Sequence, residues 1–361
     1  MLLALLAGPL LAEGILRWLL FSDSDLARRL GAKYRDPSLF AYGTDAPEFS
    51  GLSYLFVPPG DHWSPVQPHP DLGWVGSAID PETLGHAEPD RVGARTPVLF
   101  YGSSFARCSV LDDCFEDLLE TSEAGRRFGL LNYAVPAYGL DQMLVLLRRT
   151  VGSHAADGPV VVLAFVLESD LGRCLTSFFC APKPRFERRG RGYELVQPDE
   201  LDPGLFLERH PPVSSYLARY LVHGAGLLPA GRERALAGED ARVEERRRLW
   251  KYLLGGTCAD LHRRGIRFFV LLFHPEGTFR REWIHADADL LLAFLDQTRI
   301  PYVDSKTDVE RAVQQGARLE DLFQPEGPAK GHPTALGTQI LFGALLRGLE
   351  GHYDDARPFE R

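Results

Sequence analysis

VLFYGSSFARCSV, residues 98–110, is the segment that decides the fold class. Four apolar residues of strand character lead to a turn at Gly102, and Ser103 and Ser104 then open a segment that can start a helix. A hydroxyl at the carboxyl end of a buried strand faces the crevice where open α/β sheets bind ligands. The stretch alone leaves two interpretations open, a presented nucleophile or a serine that only caps the helix.

Short apolar runs, bounded by turn formers, alternate with amphipathic stretches after residue 97. The predicted strands cover residues 98–101, 128–135, 160–167, 266–273 and 300–303. The predicted helices cover residues 108–120, 140–151, 241–264, 283–297 and 335–349. This alternation predicts a three-layer α/β/α sandwich with a mainly parallel five-stranded sheet.

The composition is that of a folded globular protein, with 361 residues of which 45% are hydrophobic and 25% charged. The formal net charge of -9 argues against a nucleic-acid partner, because no long basic stripe is present to neutralise phosphates. The sequence has no phosphate-binding Gly-rich loop, no dinucleotide fingerprint and no cluster of metal ligands. We therefore expect neither a cofactor nor a metal. No feature of the sequence indicates an oligomeric state.

The amino terminus, MLLALLAGPLLAEGILRWLLF at residues 1–21, is about as long as the ~20-residue apolar run of a bilayer-spanning helix. Glu13 and Arg17 interrupt it four residues apart, so they can pair on one helix face. We expect a retained membrane anchor that holds the rest of the chain on the periplasmic or extracellular side. A buried or interfacial helix is the alternative. Residues 22–96 follow as an irregular arm that contains HPDLGW at 69–74.

The main domain is predicted at residues 97–352, with an insertion at 171–238 that is rich in Pro, Gly and Arg. Insertions of this kind commonly shape a substrate site. The five cysteines are Cys108, Cys114, Cys174, Cys180 and Cys258. The first two are six residues apart, as are the next two, and the last is left over. Two short disulfides, or cross-pairing between these loops, would fit an exported domain, whereas buried thiols are the alternative.

Four sequence blocks, in this order along the chain, resemble those of the SGNH, or GDSL-type, serine hydrolases. Gly102-Ser103-Ser104 matches the family's Gly-Asp-Ser block, with Ser103 in place of the aspartate. The resemblance implies that Ser104 is the nucleophile. It also implies the family's α/β/α fold, with a flavodoxin-like strand order.

The second and third blocks imply the donors of an oxyanion hole. Residues 132–142, NYAVPAYGLDQ, resemble the second block, and the family's glycine falls on Ala137, whose backbone N–H remains as a donor. The third block here is Glu168-Ser169-Asp170. Ser169 stands where the family has an asparagine, and a hydroxyl donates with a shorter reach than an amide.

The last block is GHPTALG at residues 331–337, which precedes a terminal apolar helix as the family's catalytic histidine does. This implies that His332 is the general base that activates the serine. The family places an acid two or three residues earlier, but those positions are Lys330 and Ala329. The other groups that could orient the imidazole are a backbone carbonyl, Glu326 and Asp321.

The resemblance implies an acyl-ester hydrolase, or an acyltransferase that uses the same residues with a sugar hydroxyl in place of water. The expected substrate is an ester of a small molecule, or of a glycan or lipid in the envelope or outside the cell. Because the usual acid is missing, the alternative is a degenerate protein that keeps the fold and binds polysaccharide or lipid without catalysis.

Overall fold

A parallel β-sheet organises the computed structural model, which describes residues 2–41, 46–57, 67–108, 114–167, 169–227, 229–280, 286–326 and 329–354. The strands are β1 (Gln67–His69), β2 (Gly73–Val75), β3 (Thr96–Gly102), β4 (Phe128–Asn132), β5 (Val160–Val166), β6 (Phe178–Phe179), β7 (Ala181–Pro182), β8 (Arg185–Arg189), β9 (Gly192–Val196), β10 (Arg267–Phe273) and β11 (Tyr302–Asp304). The α-helices are α1 (Leu2–Phe21), α2 (Asp25–Gly31), α3 (Pro47–Phe56), α4 (Ser104–Arg107), α5 (Phe115–Thr121), α6 (Leu140–Thr150), α7 (Ser169–Gly172), α8 (Pro203–Arg209), α9 (Tyr216–Val222), α10 (Pro229–Arg263), α11 (Glu276–Arg280), α12 (Ala286–Thr298), α13 (Lys306–Gln314), α14 (Leu319–Leu322) and α15 (Ala335–Asp354).

The central sheet has the strand order β4-β3-β5-β10-β11, and its neighbouring strands run parallel. Numbered along the chain, this order is 2-1-3-4-5, which is the flavodoxin-like arrangement. The register pairs Phe100 of β3 with Asn132 of β4 and with Val162 of β5. The predicted fold class, the parallel five-stranded sheet and the strand order are confirmed.

Helices cover both faces of this sheet. Every residue of β5 is buried, as are residues 97–102 of β3. On one face, Val162 lies in a core cluster that includes Leu345 of α15. On the other face, the Tyr101 and Thr150 hydroxyls are hydrogen-bonded at 2.7 Å, which joins β3 to the end of α6. Strands that are covered on both sides appear in the sequence as continuous apolar runs, and these runs allowed the strands to be predicted.

The observed elements differ from the predicted ones mainly at their ends. β4 ends at Asn132, and residues 133–135 continue as the start of a loop rather than as strand. α10 begins at Pro229, well before the predicted start at residue 241. Of the predicted helices at 108–120 and 283–297, residues 109–113 and 283–285 lie outside the described chain.

The chain divides into two compact units. Unit 1 contains residues 1–74, 175–185 and 195–246. Unit 2 contains residues 75–174, 186–194 and 247–361, and therefore the whole central sheet. Unit 1 therefore contains the amino-terminal helix, most of the predicted arm at 22–96 and most of the predicted insertion at 171–238.

The amino-terminal helix α1 packs within unit 1. Leu16 and Leu20 of α1 are buried in a core cluster with Phe40 and Tyr216. The Glu13 carboxylate accepts hydrogen bonds from the Ser215 hydroxyl at 2.9 Å and from the Leu217 and Tyr216 amides at 2.7 and 3.2 Å. A carboxylate at this position caps the amino terminus of α9, where the amides and the helix dipole favour negative charge.

The pair predicted within residues 1–21 is formed, with Arg17 Nε 2.6 Å from Glu13 Oε1. The Arg17 guanidinium also lies 5.0 Å from the centre of the Tyr216 ring, so both charged residues of α1 contact α9. Among the residues that the structure describes, no helix combines the length and apolarity needed to cross a membrane. This finding does not support the predicted membrane anchor at residues 1–21.

One of the predicted short disulfides is present. Cys108 and Cys114 are bonded, with their Cα atoms 5.5 Å apart, which links the end of α4 to the start of α5. Cys174, Cys180 and Cys258 form no disulfide. Burial raises the pKa of the Cys258 thiol to about 12, as expected for a buried structural cysteine rather than a reactive one.

The cap on α9 can be tested with Glu13→Ala. Alanine favours the helix, so any loss of stability reports the missing hydrogen bonds of the carboxylate. We expect the free energy of unfolding to fall by about 1.5–3 kcal/mol. Asp23→Ala is the matched control, since Asp23 forms an exposed ion pair with Arg28 and its loss should change stability by less than about 0.5 kcal/mol.

Urea unfolding followed by circular dichroism measures both variants. Burial tends to raise the pKa of Glu13, but the hydrogen bonds from Leu217, Arg17, Ser215 and Tyr216 hold it below its ordinary value of 4.5. The stabilisation is therefore complete above pH 4.5 and is lost as the pH falls through the lower, folded-state pKa. Equal effects of the two substitutions would contradict the capping role.

Candidate active site

Ser104 lies at the carboxyl edge of the sheet, at the first position of α4 directly after β3. The turn needs a glycine at position 102, because a Cβ there would lie 2.6 Å from the Ala164 carbonyl oxygen and would overlap the Ala106 side chain. Asn132, at the end of β4, donates to the Ala106 carbonyl at 3.0 Å and so holds α4 from the other side. The sheet therefore fixes the helix that carries Ser104.

The structure brings Ser104 and His332 together. The Ser104 hydroxyl oxygen lies 2.8 Å from His332 Nε2, within hydrogen-bonding distance. The His332 ring also packs against Phe105, with ring centroids 5.4 Å apart. Its loop is fixed by Gln324, whose amide donates to the His332 carbonyl and whose carbonyl accepts from the Gly331 amide, both at 2.8 Å. The Ser104 hydroxyl therefore contacts the histidine of the last sequence block.

A backbone carbonyl occupies the position of the missing acid. His332 Nδ1 lies 3.2 Å from the Ala329 carbonyl oxygen. A carbonyl oxygen can only accept, so Nδ1 carries the proton and Nε2 is left to accept the hydrogen bond of the Ser104 hydroxyl. This contact selects the tautomer that a general base requires.

The two carboxylates considered from the sequence do not take this role. Asp321 is bound by the Arg318 side chain, with Arg318 Nη2 2.8 Å from its Oδ1, and Glu326 is exposed. Within the described residues, no carboxylate lies at hydrogen-bonding distance from the His332 ring. Of the alternatives, the carbonyl is the one that the structure places on the imidazole.

The His332 imidazole is half-buried, and this changes its titration. Burial lowers its pKa below the ordinary value of 6.5, the Ala329 and Lys330 carbonyls raise it in part, and the positive charge of Arg173 lowers it. The ring is therefore neutral at pH 7 and able to accept a proton.

Ala137 adopts a backbone conformation that favours glycine. Its φ is +69°, in the left-handed region, which costs an L-residue with a Cβ roughly 1–2 kcal/mol. A glycine would take this conformation without strain, and here it is adopted by alanine. Among the described residues, no backbone carbonyl accepts from the amide of Ala137 or of Ser104. Both N–H groups can therefore serve a ligand.

A buried carboxylate connects the loops around Ser104. Asp170 accepts from the Ser103 hydroxyl at 2.8 Å, from the Val166 amide at 2.8 Å and from Arg173 Nη1 at 2.9 Å. Arg173 Nη1 also donates to the Tyr138 carbonyl at 3.0 Å, next to Ala137. Burial raises the pKa of Asp170 above its ordinary value of 3.8, and the Arg173 charge and these hydrogen bonds offset only part of that shift. The network holds the nucleophile turn and the Ala137 loop to the end of β5.

The sequence did not assign this network. Ser103 stands where the hydrolases that the sequence resembles have an aspartate, and its hydroxyl donates to the carboxylate of Asp170 in α7. Arg173 follows Asp170 by three residues, about one helical turn. This spacing is the feature of the sequence that could have predicted their ion pair. Ser169, the predicted third donor, begins α7 and its hydroxyl lies 3.4 Å from Asp170 Oδ1, a long hydrogen bond. Glu168 lies outside the described residues.

A polar cavity of about 210 Å³ lies in unit 2 beside α4. It is lined in part by Arg107, which follows Ser104 by three residues, and by Asn132. Glu116 joins these two, because it pairs with Arg107 at 3.0 Å and accepts from Asn132 Nδ2 at 2.7 Å. In the described part of the chain, no group of three or more His, Cys, Asp or Glu residues is placed to hold a metal ion.

Comparison with solved structures finds esterases and lipases. LAE5, described as an α/β hydrolase enzyme from the metagenome of Lake Arreo, is 13% identical over 71% of this chain and 95% of its own, with a TM-score of 0.41. Axe2, an acetylxylan esterase from Geobacillus stearothermophilus, is 12% identical over 72% and 96%, with a TM-score of 0.38. A lipolytic protein of the G-D-S-L family from Veillonella parvula is 11% identical over 70% and 97%, with a TM-score of 0.35.

The chain is similar to these hydrolases. Of the three, the Veillonella parvula protein is the one described as a member of the G-D-S-L family. No family model and no curated protein sequence matches the chain. With TM-scores of 0.41 and below, the likeness gives no detail of this chain's site, so the roles of its residues depend on the geometry described above.

The left-handed Ala137 can be tested with Ala137→Gly. Glycine relieves the strain but adds conformational freedom to the unfolded chain, so the net gain in the free energy of unfolding is up to about 1 kcal/mol. Ala134→Gly is the matched control, because Ala134 is buried in the same loop without a positive φ and should lose roughly 1 kcal/mol. Thermal unfolding measures both, and a loss of stability in Ala137→Gly would contradict the strain.

Proposed function

We propose that the protein is a serine-dependent acyl-ester hydrolase. The observation that carries this proposal is the 2.8 Å contact between the Ser104 hydroxyl and His332 Nε2, with Nδ1 held by a carbonyl. A serine hydroxyl becomes a useful nucleophile when an adjacent imidazole accepts its proton. The pair lies at the carboxyl edge of a parallel sheet, where open α/β folds bind ligands.

In the proposed mechanism, the Ser104 oxygen attacks the ester carbonyl while His332 Nε2 takes the hydroxyl proton. The imidazolium then gives this proton to the leaving alcohol, which leaves an acyl group on Ser104. Water then attacks the acyl group on Ser104 while His332 Nε2 takes a proton from the water. The imidazolium returns this proton to the Ser104 oxygen as the carboxylic acid is released. The Ala329 carbonyl keeps Nδ1 protonated throughout and stabilises the imidazolium through its dipole, a weaker effect than that of a full carboxylate charge.

The proposed oxyanion hole consists of the Ser104 amide, the Ala137 amide and the Ser169 hydroxyl. Donors that are positioned before the reaction stabilise the developing negative charge without reorganisation. The Ala137 loop fits this role, because Arg173 donates to the adjacent Tyr138 carbonyl and so holds the loop in place. The Ser169 hydroxyl can exchange its long contact with Asp170 for the oxyanion.

The proposed substrate is an ester of a small molecule, or of a glycan or lipid in the envelope or outside the cell. An acyltransferase would use the same residues with a sugar hydroxyl in place of water. The Cys108–Cys114 disulfide supports a location outside the cytoplasm, in the periplasm or extracellular space. A non-catalytic polysaccharide- or lipid-binding protein is the second candidate, favoured by the lack of a carboxylate on His332 among the described residues.

Labelling with a fluorophosphonate probe tests the nucleophile. We expect the full chain to be labelled and to hydrolyse short acyl esters, and Ser104→Ala to lose both properties by at least about 10³-fold. Ser38→Ala is the control, because Ser38 is exposed and its hydroxyl donates to Asp36, so labelling at Ser104 should be unchanged. Intact protein that is never labelled at Ser104 would favour the binding protein instead.

A carboxylate can be restored at the family's position with Ala329→Asp. A negative charge near Nδ1 stabilises the imidazolium, so kcat/KM should rise and the pKa of His332 should increase. In the wild type the activity should fall only below pH 6.5, because protonation of the base stops the reaction and its pKa is lowered. Ala329→Asp should move this limb of the pH profile upward.

Ala329→Asn has nearly the same shape without the charge and is the control. The measurement is the pH dependence of kcat/KM for all three proteins. An unshifted acid limb in Ala329→Asp, with the pair otherwise intact, would contradict the assignment of His332 as the base.

A further inference from the structure

The amino-terminal helices of unit 1 leave many apolar side chains in contact with solvent. Among the described residues, twelve large hydrophobic side chains are exposed, and seven of them lie in α1 and α2. One of the seven, Phe21, also packs its ring against Tyr216. The other six form what we call the apolar face: Leu10, Leu11, Ile15, Trp18, Leu26 and Leu30. Single exposed hydrophobic residues are ordinary, but such a concentration marks an interaction surface.

The exposed residues of α1 form a stripe along the helix. Leu11, Ile15 and Trp18 follow one another at intervals of four and three residues, which places them on one side of the helix. Leu16 and Leu20, on the opposite side, are buried in the core of unit 1. A helix that is apolar on both sides is normally covered on both sides. The stripe therefore needs a partner that unit 1 does not supply.

The short helix α2 adds exposed leucines beside α1. Ala27 is fully buried, and a Cβ at Gly31 would overlap the Leu19 carbonyl, so α2 packs directly on α1. Leu26 and Leu30, one turn apart, are 59% and 53% exposed. Both helices thus present apolar side chains to solvent.

Cations accompany the leucines of α2. Arg29 follows Leu26 by three residues, so their side chains are neighbours on the helix surface. Residues 25–34 carry three cations, Arg28, Arg29 and Lys33, against Asp25, a net charge of +2 in a chain of net charge -9. Arg29 and Lys33 are exposed. Apolar side chains next to exposed cations match an anionic membrane surface, in which acyl chains lie beneath negatively charged headgroups.

Trp18 and the cations favour a lipid surface over a second copy of this chain. Tryptophan is enriched where the hydrocarbon of a bilayer meets the headgroups, because its ring is apolar and its N–H is polar. A symmetric dimer would use the same patch on both copies and would bring cations of like charge together. Anionic headgroups would instead pair with these cations.

We propose that the apolar face binds the surface of an anionic lipid bilayer. The helix α1 lies along this surface, with Leu11, Ile15 and Trp18 inserted below the headgroups, while Arg29 and Lys33 bind headgroup phosphates. This contact is separate from Ser104 and does not depend on the proposed hydrolase activity.

Flotation of the full chain with lipid vesicles tests the proposal. We expect the protein to bind phosphatidylcholine vesicles that contain about 30% phosphatidylglycerol at least about tenfold more tightly than vesicles of phosphatidylcholine alone. Binding to the anionic vesicles should weaken as the salt concentration rises, because part of the attraction is ionic.

The apolar contribution can be tested with Leu11→Gln combined with Ile15→Gln. We expect the affinity for the anionic vesicles to fall by at least about tenfold, because two apolar side chains no longer enter the lipid. Val313→Gln is the matched control, since Val313 is an exposed apolar residue of α13 in unit 2 and its replacement should leave binding unchanged.

The ionic contribution can be tested with Arg29→Gln. We expect the affinity for the anionic vesicles to fall by about fivefold, since one cation near the membrane surface is lost. Arg189→Gln is the matched control, because Arg189 is exposed in β8 and pairs with Glu187. Ser104→Ala should leave vesicle binding unchanged, so a failure of the hydrolase proposal is distinguishable.

The position of Trp18 can be followed by its fluorescence. Brominated phosphatidylcholine in the anionic vesicles quenches a tryptophan that enters the lipid, so the wild-type protein should lose fluorescence on binding. Trp18→Phe keeps an aromatic ring and should still bind, but most of this quenching should be lost.

Equal affinity for neutral and anionic vesicles would overturn the role of the cations. Undiminished binding by the Leu11→Gln, Ile15→Gln protein, shown by circular dichroism to be folded, would place the contact elsewhere. Unchanged quenching in Trp18→Phe would contradict the insertion of α1. A dimer in vesicle-free solution that the double substitution dissociates would assign the apolar face to a second copy instead.

Discussion

The hydrogen bond between Ser104 and His332 joins residues that are 228 positions apart, and the candidate site depends on it. Each partner reaches this contact through a separate constraint. On the serine side, Gly102 and Asn132 let α4 approach the strand ends closely. On the histidine side, two backbone hydrogen bonds to Gln324 fix the loop. A shift of either element by about 1 Å would lengthen the contact beyond the range of a hydrogen bond.

This site uses backbone groups where a charged residue or a glycine is usual in the family that the sequence resembles. The Ala329 carbonyl stands in for a carboxylate, and a dipole orients the imidazole without adding a full negative charge. Burial and the Arg173 charge lower the pKa of the His332 imidazole, and no carboxylate charge is present on the ring to raise it again. Ala137 takes a glycine's conformation at the cost of strain. Both departures keep the hydrogen-bonding groups in position. The first lowers the pKa of His332, and the second adds backbone strain at Ala137.

The sheet could be predicted because its strands are buried on both faces and therefore appear as continuous apolar runs. Ser104 and His332 could be placed by the order of the sequence blocks. The network of Asp170 and Arg173 could not, because hydrogen bonds between loops of different strands leave no periodic pattern. The role of the Ala329 carbonyl was equally hidden, since every residue carries a carbonyl and only the fold determines which one meets the ring.

The attachment of α1 to α9 bears on how this protein can be prepared. An apolar amino-terminal segment is commonly removed to obtain a more tractable recombinant product. Here the deletion of residues 1–21 would take away Leu16 and Leu20 from a hydrophobic cluster and leave Phe40 and Tyr216 exposed to water. It would also leave the first amides of α9 without Glu13. A shortened chain would lose a structural part of unit 1, and material made in this way would be prone to aggregation.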